Sequence, residues 1–136
     1  MPLYISDKQN LKFCHININS IQHKFGPLAE AMLKGIVDIL SIQDTKLVSS
    51  FPVQQFKCEG FKLYRKDNTC NSGSLLLYVR NDFAQRRWTE LEFDINNENG
   101  QLETICVEVF IKSEKWLIFS VYKQPIIKGI FSLREP

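Results

Sequence analysis

Leu11-Lys12-Phe13-Cys14-His15-Ile16-Asn17-Ile18-Asn19-Ser20 is an apolar run that closes on a polar turn, and Ile36 to Ile42 repeats the pattern before closing on Gln43-Asp44-Thr45-Lys46. Between them Phe25, Leu28, Ala29, Met32 and Leu33 recur at i, i+3, i+4, i+7 and i+8, one apolar helical stripe. Gly26-Pro27 suits its start and Gly35 its end. A strand, a crossover helix and a second strand make a βαβ unit, in which the strands run parallel and open their carboxyl ends on one rim. Ligands bind at that rim in open α/β sheets. Asn17 and Asp44 are therefore expected to be neighbours, although far apart in sequence.

The rest of the chain is rich in strands. Lys46 to Lys57 is a polar connection holding Ser49-Ser50 and Pro52, after which Gly60 to Arg65 reads as a short strand. Lys66 to Ser74 is turn chemistry and Leu75 to Val79 a strand apolar on both faces, so the two form a hairpin. Its tip is either a solvated turn or a loop beside a binding rim. Asp94 to Gly100 is a loop separating two strand-rich blocks. Leu102 to Ile111 alternates, with Ile105, Val107, Val109 and Ile111 on one face and Thr104, Cys106, Glu108 and Phe110 on the other, the pattern of a half-buried strand. Lys112 to Lys115 is a tight polar turn, and Trp116 to Tyr122 is a strand apolar on both sides, stopped by Gln124-Pro125.

At 136 residues, 44% of them hydrophobic, the chain is one domain with a real core. A balance of 17 basic against 15 acidic residues neither requires nor excludes a polyanionic partner. No run approaches the roughly 18 uninterrupted apolar residues of a membrane span, and Met1 to Asn10 lacks a signal peptide's apolar core. The chain reads as soluble and intracellular, in nucleus or cytoplasm, with no membrane partner. Cys14, Cys58, Cys70 and Cys106 form no C-x-x-C pair, so zinc is not expected, and Cys14 and Cys106 should pack as small hydrophobes. His15 reads as a strand side chain with a hydrogen-bond partner.

Four blocks carry a resemblance. They are Asn17-Ile18-Asn19-Ser20, then Ser41 to Leu47 (SIQDTKL), then Gly60 to Asp67 (GFKLYRKD) leading to Gly73 and Leu75 to Val79, then Trp116 to Tyr122 (WLIFSVY). In that order and at those intervals they resemble the amino-terminal half of the endonuclease domain of non-LTR (LINE-type) retrotransposons, within the endonuclease/exonuclease/phosphatase superfamily. The resemblance implies an α/β fold, the amino-terminal half of a two-sheet, four-layer α/β sandwich. It divides the chain into an extension over 1–9, an incomplete endonuclease-like domain over 10–125 and a divergent tail over 126–136.

The resemblance also implies a chemistry. Such enzymes hydrolyse a DNA phosphodiester with Mg²⁺, which neutralises phosphate charge, while a histidine and acidic partners handle the attacking water. Asp44 takes the position of the metal-binding glutamate, Asn17 that of the asparagine at the metal and phosphate site, and Tyr122 that of a tyrosine on the scissile phosphate. Asn19 either lines the same rim for substrate or stabilises the turn after the first strand. Gln43 is given a structural role. Two departures stand out: Asp44 is one methylene shorter than the family's glutamate, and the Gly-Asp-Phe-Asn and Ser-Asp-His motifs occur nowhere in the chain. The implied partner is DNA, with no small-molecule substrate. A chain of this kind is expected to be inactive alone and to associate with itself or with a complementary endonuclease half. The alternatives are a catalytically dead nucleic-acid-binding module and a decayed coding fragment.

Overall fold

The computed structural model describes residues 11–47, 52–66, 74–97 and 100–124. The extension, the hairpin tip over 67–73 and the tail lie outside the described residues, as does Cys70. The opening βαβ unit forms as expected: β1 (Phe13–Asn17), α1 (Phe25–Leu33) and β2 (Ile39–Gln43), with β1 and β2 parallel and Asn17 opposite Gln43. Gly35, at φ 76°, ends the helix in a Schellman motif, in which the Ile36 amide reaches the Ala31 carbonyl and the Gly35 amide that of Met32. Met32 is buried and Phe25, Leu28 and Ala29 pack beside it, whereas Leu33 lies off the stripe and is exposed. Phe25 stacks on Tyr78 and meets the edge of Phe56.

A hairpin of β3 (Phe61–Lys66) and β4 (Leu75–Arg80) completes the first sheet, in the order β1-β2-β4-β3, with β4 antiparallel to both neighbours. The second sheet is built on β7 (Gly100–Ile111), which pairs along nearly its whole length with β8 (Glu114–Gln124). On its other side β7 pairs with β5 (Ala84–Arg87) at one end and β6 (Ile95–Asn97) at the other. The β7–β8 turn is Lys112-Ser113, both left-handed at φ 54° and 70°, as a two-residue hairpin turn requires.

The two sheets pack face to face. Ile39, Leu75, Leu77 and Val79 of the first meet Ile105, Val107, Val109 and Ile118 of the second, while Leu40, Ile42, Leu76 and Tyr78 face α1. All five residues of Leu75–Val79 are therefore fully buried within this chain. A strand apolar on both faces is thus covered on both, by α1 on one side and the second sheet on the other. The uncovered surface is the outer face of β8, where Leu117, Phe119 and Val121 are 47, 45 and 40% exposed.

Three other expectations change. The stretch over 94–100 is not a plain loop, since Ile95–Asn97 pairs antiparallel with Gly100–Leu102. β7 is buried on both faces rather than one: Thr104, Cys106 and Glu108 are covered where Trp88 donates its indole N–H to Glu108 and Thr104 exchanges hydrogen bonds with the Phe93 backbone. Glu92 fills the gap between β5 and β6, accepting the Cys106 amide and a two-pronged contact from Arg87. Cys106 packs inside as expected, but Cys14 is exposed: it lies on the α1 face of β1, the edge strand of its sheet. No helix among the described residues is long and apolar enough to cross a membrane.

Candidate active-site rim

Parallel pairing of β1 and β2 carries both strand ends to one rim. Asn17 is the last residue of β1, and Asp44 follows β2 directly. The two ends are stitched together: the Ile18 amide donates to the Gln43 carbonyl, the Ser20 amide to Asp44 and the Ile21 amide to Thr45. Because β4 and β7 run the other way, Ser74 and Glu103 arrive at the same rim from their starting ends. Tyr122 arrives near the end of β8, opposite Glu103 in the β7–β8 register. β8 continues to Gln124, so Tyr122 does not end its strand as expected.

Backbone conformation sets this rim apart. Asn19, Ser20, Asp44, Lys46 and Ser74 all have positive φ, at 51°, 83°, 61°, 60° and 97°. Such conformations cost on the order of 1–3 kcal/mol each in residues other than glycine, with asparagine and aspartate the best tolerated. They persist where surrounding contacts enforce them. At Asp44 the left-handed turn also ends the strand alternation, so the sequence rule that assigns Gln43 and Asp44 to opposite faces no longer applies.

Asn17 shares its face of β1 with His15, which bonds Ser41 at 2.8 Å; Ser41 in turn bonds Ser120 of the second sheet. Asn17 therefore faces the same side as Tyr122, which packs in the core between the sheets. His15 has the partner expected of a strand side chain. The Asn17 amide oxygen accepts the Asn19 amide at 3.2 Å, which leaves one lone pair for another donor or a cation. Asn19 is exposed, and its side-chain oxygen accepts from Lys46 Nζ at 2.6 Å.

Asp44 carries the rim's most informative atom. Its Oδ1 is buried without a hydrogen-bond partner. A buried carboxylate oxygen left so is costly unless a cation or donor meets it. Tyr122 is close enough to feel the charge: burial raises its phenol above the ordinary range, and the carboxylates of Asp44 and Glu103 raise it further. The phenol is thus held protonated, as a donor.

Sequence reading missed Glu103. It is buried, and its Oε1 accepts the Ser74 amide at 2.9 Å. A signal was available, since the alternation that turns Ile105, Val107 and Val109 inward turns Glu103 inward too.

The donor set suits magnesium better than zinc. Among the described residues no three His, Cys, Asp or Glu side chains gather to cage a metal. Mg²⁺ needs no such cage, being held typically by one or two carboxylates with waters and substrate phosphates completing the shell. The orphaned Asp44 oxygen, at a rim that also carries Asn17, fits that pattern.

At the opposite rim Arg80 and Asp38 form a buried ion pair at 2.9 Å, Asp38 also accepts the Lys12 amide, and Arg80 also pairs with Asp82. They border a hollow of about 210 Å³ with Leu11, Phe83 and Ile111. These contacts tie the start of β2 to the end of β4 and to the segments beside them, which makes this rim a structural one.

No protein-family model matches the sequence, and no curated protein sequence matches it. Solved structures do match. The AP endonuclease LMAP from Leishmania major superposes with a TM-score of 0.63 at 15% identity, over 82% of this chain and 40% of that one. The Xenopus laevis APE2 catalytic domain gives 0.53 at 14% identity, over 82% of this chain and 45% of its own. The 3′ phosphatase NExo from Neisseria, solved bound to a product DNA hairpin, gives 0.50 at 13%, over 79% of this chain and 40% of its own. This chain thus spans less than half the length of the structures it matches. The fold they share with it is the α/β, two-sheet fold of AP endonucleases and a 3′ phosphatase, present here in part.

Proposed function

We propose that this chain is the amino-terminal part of a phosphodiesterase domain of the retrotransposon endonuclease type, whose inherited reaction is Mg²⁺-dependent hydrolysis of a DNA strand. The observation that carries the reading is the buried, unpartnered Oδ1 of Asp44 at the rim shared with Asn17 and Tyr122. A magnesium ion there would neutralise charge on the phosphate and on the leaving oxygen. Asp44 would hold the ion, directly or through a water, since its side chain is one methylene shorter than glutamate and Mg²⁺ contacts are confined to about 2.0–2.1 Å. Asn17 would offer its amide to the ion or to a phosphate oxygen. Tyr122, kept protonated by burial and two carboxylates, would donate to the same phosphate.

The resemblance assigns no residue of this chain to the remaining acid-base work. His15 is committed to Ser41, and neither motif that supplies the base in the resembled family occurs in the sequence. General acid-base groups contribute roughly 10²- to 10⁴-fold, so little cleavage is expected of this chain by itself. DNA binding without turnover is the residual activity, and a second half of an endonuclease domain is the partner that would restore the reaction.

The experiment is fluorescence anisotropy with a short labelled duplex, in Mg²⁺ and in EDTA, across a salt series. Binding that strengthens in Mg²⁺, weakens steeply with salt and falls in Asn17→Ala and Tyr122→Phe supports the reading. Binding indifferent to Mg²⁺ and to both substitutions overturns it.

A further inference from the structure

We propose that Glu103 is a positioning residue for Asp44, a latch by which the second sheet holds the left-handed turn that carries this carboxylate. The inference rests on the Asp44 centre proposed above. Its core is a relay through one serine. Glu103 Oε1 accepts the Ser74 amide at 2.9 Å, and the Ser74 carbonyl accepts the Asp44 amide at 3.0 Å and the Thr45 amide at 3.5 Å. The Ser74 hydroxyl bonds that of Thr45 and accepts the Leu47 amide at 3.3 Å.

Ser74 is fully buried, and at φ 97° its backbone lies where a side chain is disfavoured. A residue so placed needs external contacts to stay there. Asp44, Thr45 and Leu47 belong to the very segment that Ser74 positions. Glu103 comes from elsewhere, on a strand braced along its length by β8. It anchors the turn to a rigid element, where the contacts with Asp44, Thr45 and Leu47 only tie two turns to each other. Withdrawal of its carboxylate strands a buried amide, and the strain at Ser74 is then relieved by rotation, which breaks the bond to Asp44. A carboxylate that must meet a cation within tenths of an ångström has to be held in this way.

The role asked of Glu103 is that of an acceptor, so glutamine, which keeps an oxygen at that reach, should serve. The measurement is amide hydrogen exchange by NMR on the full chain, comparing Glu103→Ala, Glu103→Gln and Val107→Ala. Val107 is fully buried on the same face of β7 and reports general loosening of the strand. The amides of Asp44 and Ser74 are expected to exchange at least 10-fold faster in Glu103→Ala relative to those of β2, and within about 3-fold of the parent in Glu103→Gln. Val107→Ala should move all these amides together. Mn²⁺ affinity, read by water-proton relaxation, should fall with the exchange pattern, low in Glu103→Ala and kept in Glu103→Gln.

Unchanged exchange at Asp44 in Glu103→Ala, or the same pattern in Val107→Ala, overturns the latch. Equal loss of Mn²⁺ affinity in Glu103→Gln and Glu103→Ala overturns it too, because charge would then matter and not position. If the parent binds no Mn²⁺ while the exchange pattern holds, the latch stands and the proposed cation centre fails.

Discussion

Ser41 of β2 and Ser120 of β8, 79 positions apart in sequence, share a hydrogen bond between buried hydroxyls, and it joins the two sheets near the edge where the sandwich lies open. His15 extends the tie to β1. Removing the Ser41 hydroxyl strands that of Ser120, at about 1–3 kcal/mol, and removing that of Ser120 leaves Ser41 with His15 alone, whereas removing both leaves no orphaned hydroxyl between the sheets and returns the exposed His15 to solvent. Urea unfolding should show Ser41→Ala and Ser120→Ala each destabilising, with the double variant losing clearly less than the sum. Strict additivity would mean that the two hydroxyls do not act as a pair.

Cleavage is the second expectation. Purified chain in Mg²⁺ should not nick supercoiled plasmid above background. A nick rate that survives repurification and vanishes in Asp44→Ala would show that the chain holds a complete catalytic set. Nicking that persists in Asp44→Ala would point to contamination.

The tyrosines set an alkaline limit. Burial raises Tyr64 to about 12, against some opposition from Arg87, and raises Tyr78, whose hydroxyl donates to the Phe56 carbonyl. Tyr122 is raised as well. A phenol with a raised folded pKa adds stability fully present below its unfolded value near 10 and lost as pH rises through the folded one. Each contributes a slope of up to about 1.4 kcal/mol per pH unit above pH 10. Denaturant midpoints should hold level from pH 8 to 9.5 and fall steeply by pH 11. Tyr78→Phe should start lower, through the lost hydrogen bond, yet fall less steeply. Parallel declines would contradict the assignment to Tyr78.

The exposed row on β8 should make the protein associate. Leu117, Phe119 and Val121 lie side by side on the outer face, beside Phe110, and among the described residues β8 pairs only with β7, leaving its other edge open. An apolar row on a free edge strand invites pairing with another chain. Sedimentation should show concentration-dependent association that Leu117→Lys with Phe119→Lys reduces. A monomer at high concentration that binds no dye for exposed apolar surface would contradict this.

Much of this fold can be read from the chain itself. Helical period and glycine punctuation place β1, α1 and β2 to within a few residues, and their parallel pairing follows from the crossover. The doubly apolar Leu75–Val79 announces a strand buried on both faces. What escapes has physical causes. Ala84–Arg87 is half charged because it is an edge strand, and Ile95–Asn97 is too short and polar to show alternation. The sequence also does not show that one chain folds its second block over its first, which covers Leu75–Val79 and brings Glu103 to the rim. The left-handed turn at Asp44 depends on Ser74, which precedes β4, and no local rule couples residues so far apart.

Whether Asp44 anchors a divalent-cation site is decided by Mn²⁺ titration followed by water-proton relaxation. One saturable site is expected, displaced by excess Mg²⁺, with affinity at least 10-fold weaker in Asp44→Asn and the thermal melt of that variant preserved. Asparagine is tolerated at the left-handed φ of 61° as aspartate is, and Oδ1 has no hydrogen-bond partner to lose, so this change should not unfold the rim. Equal Mn²⁺ affinity in the parent and in Asp44→Asn, or no saturable site in the parent, would contradict the assignment.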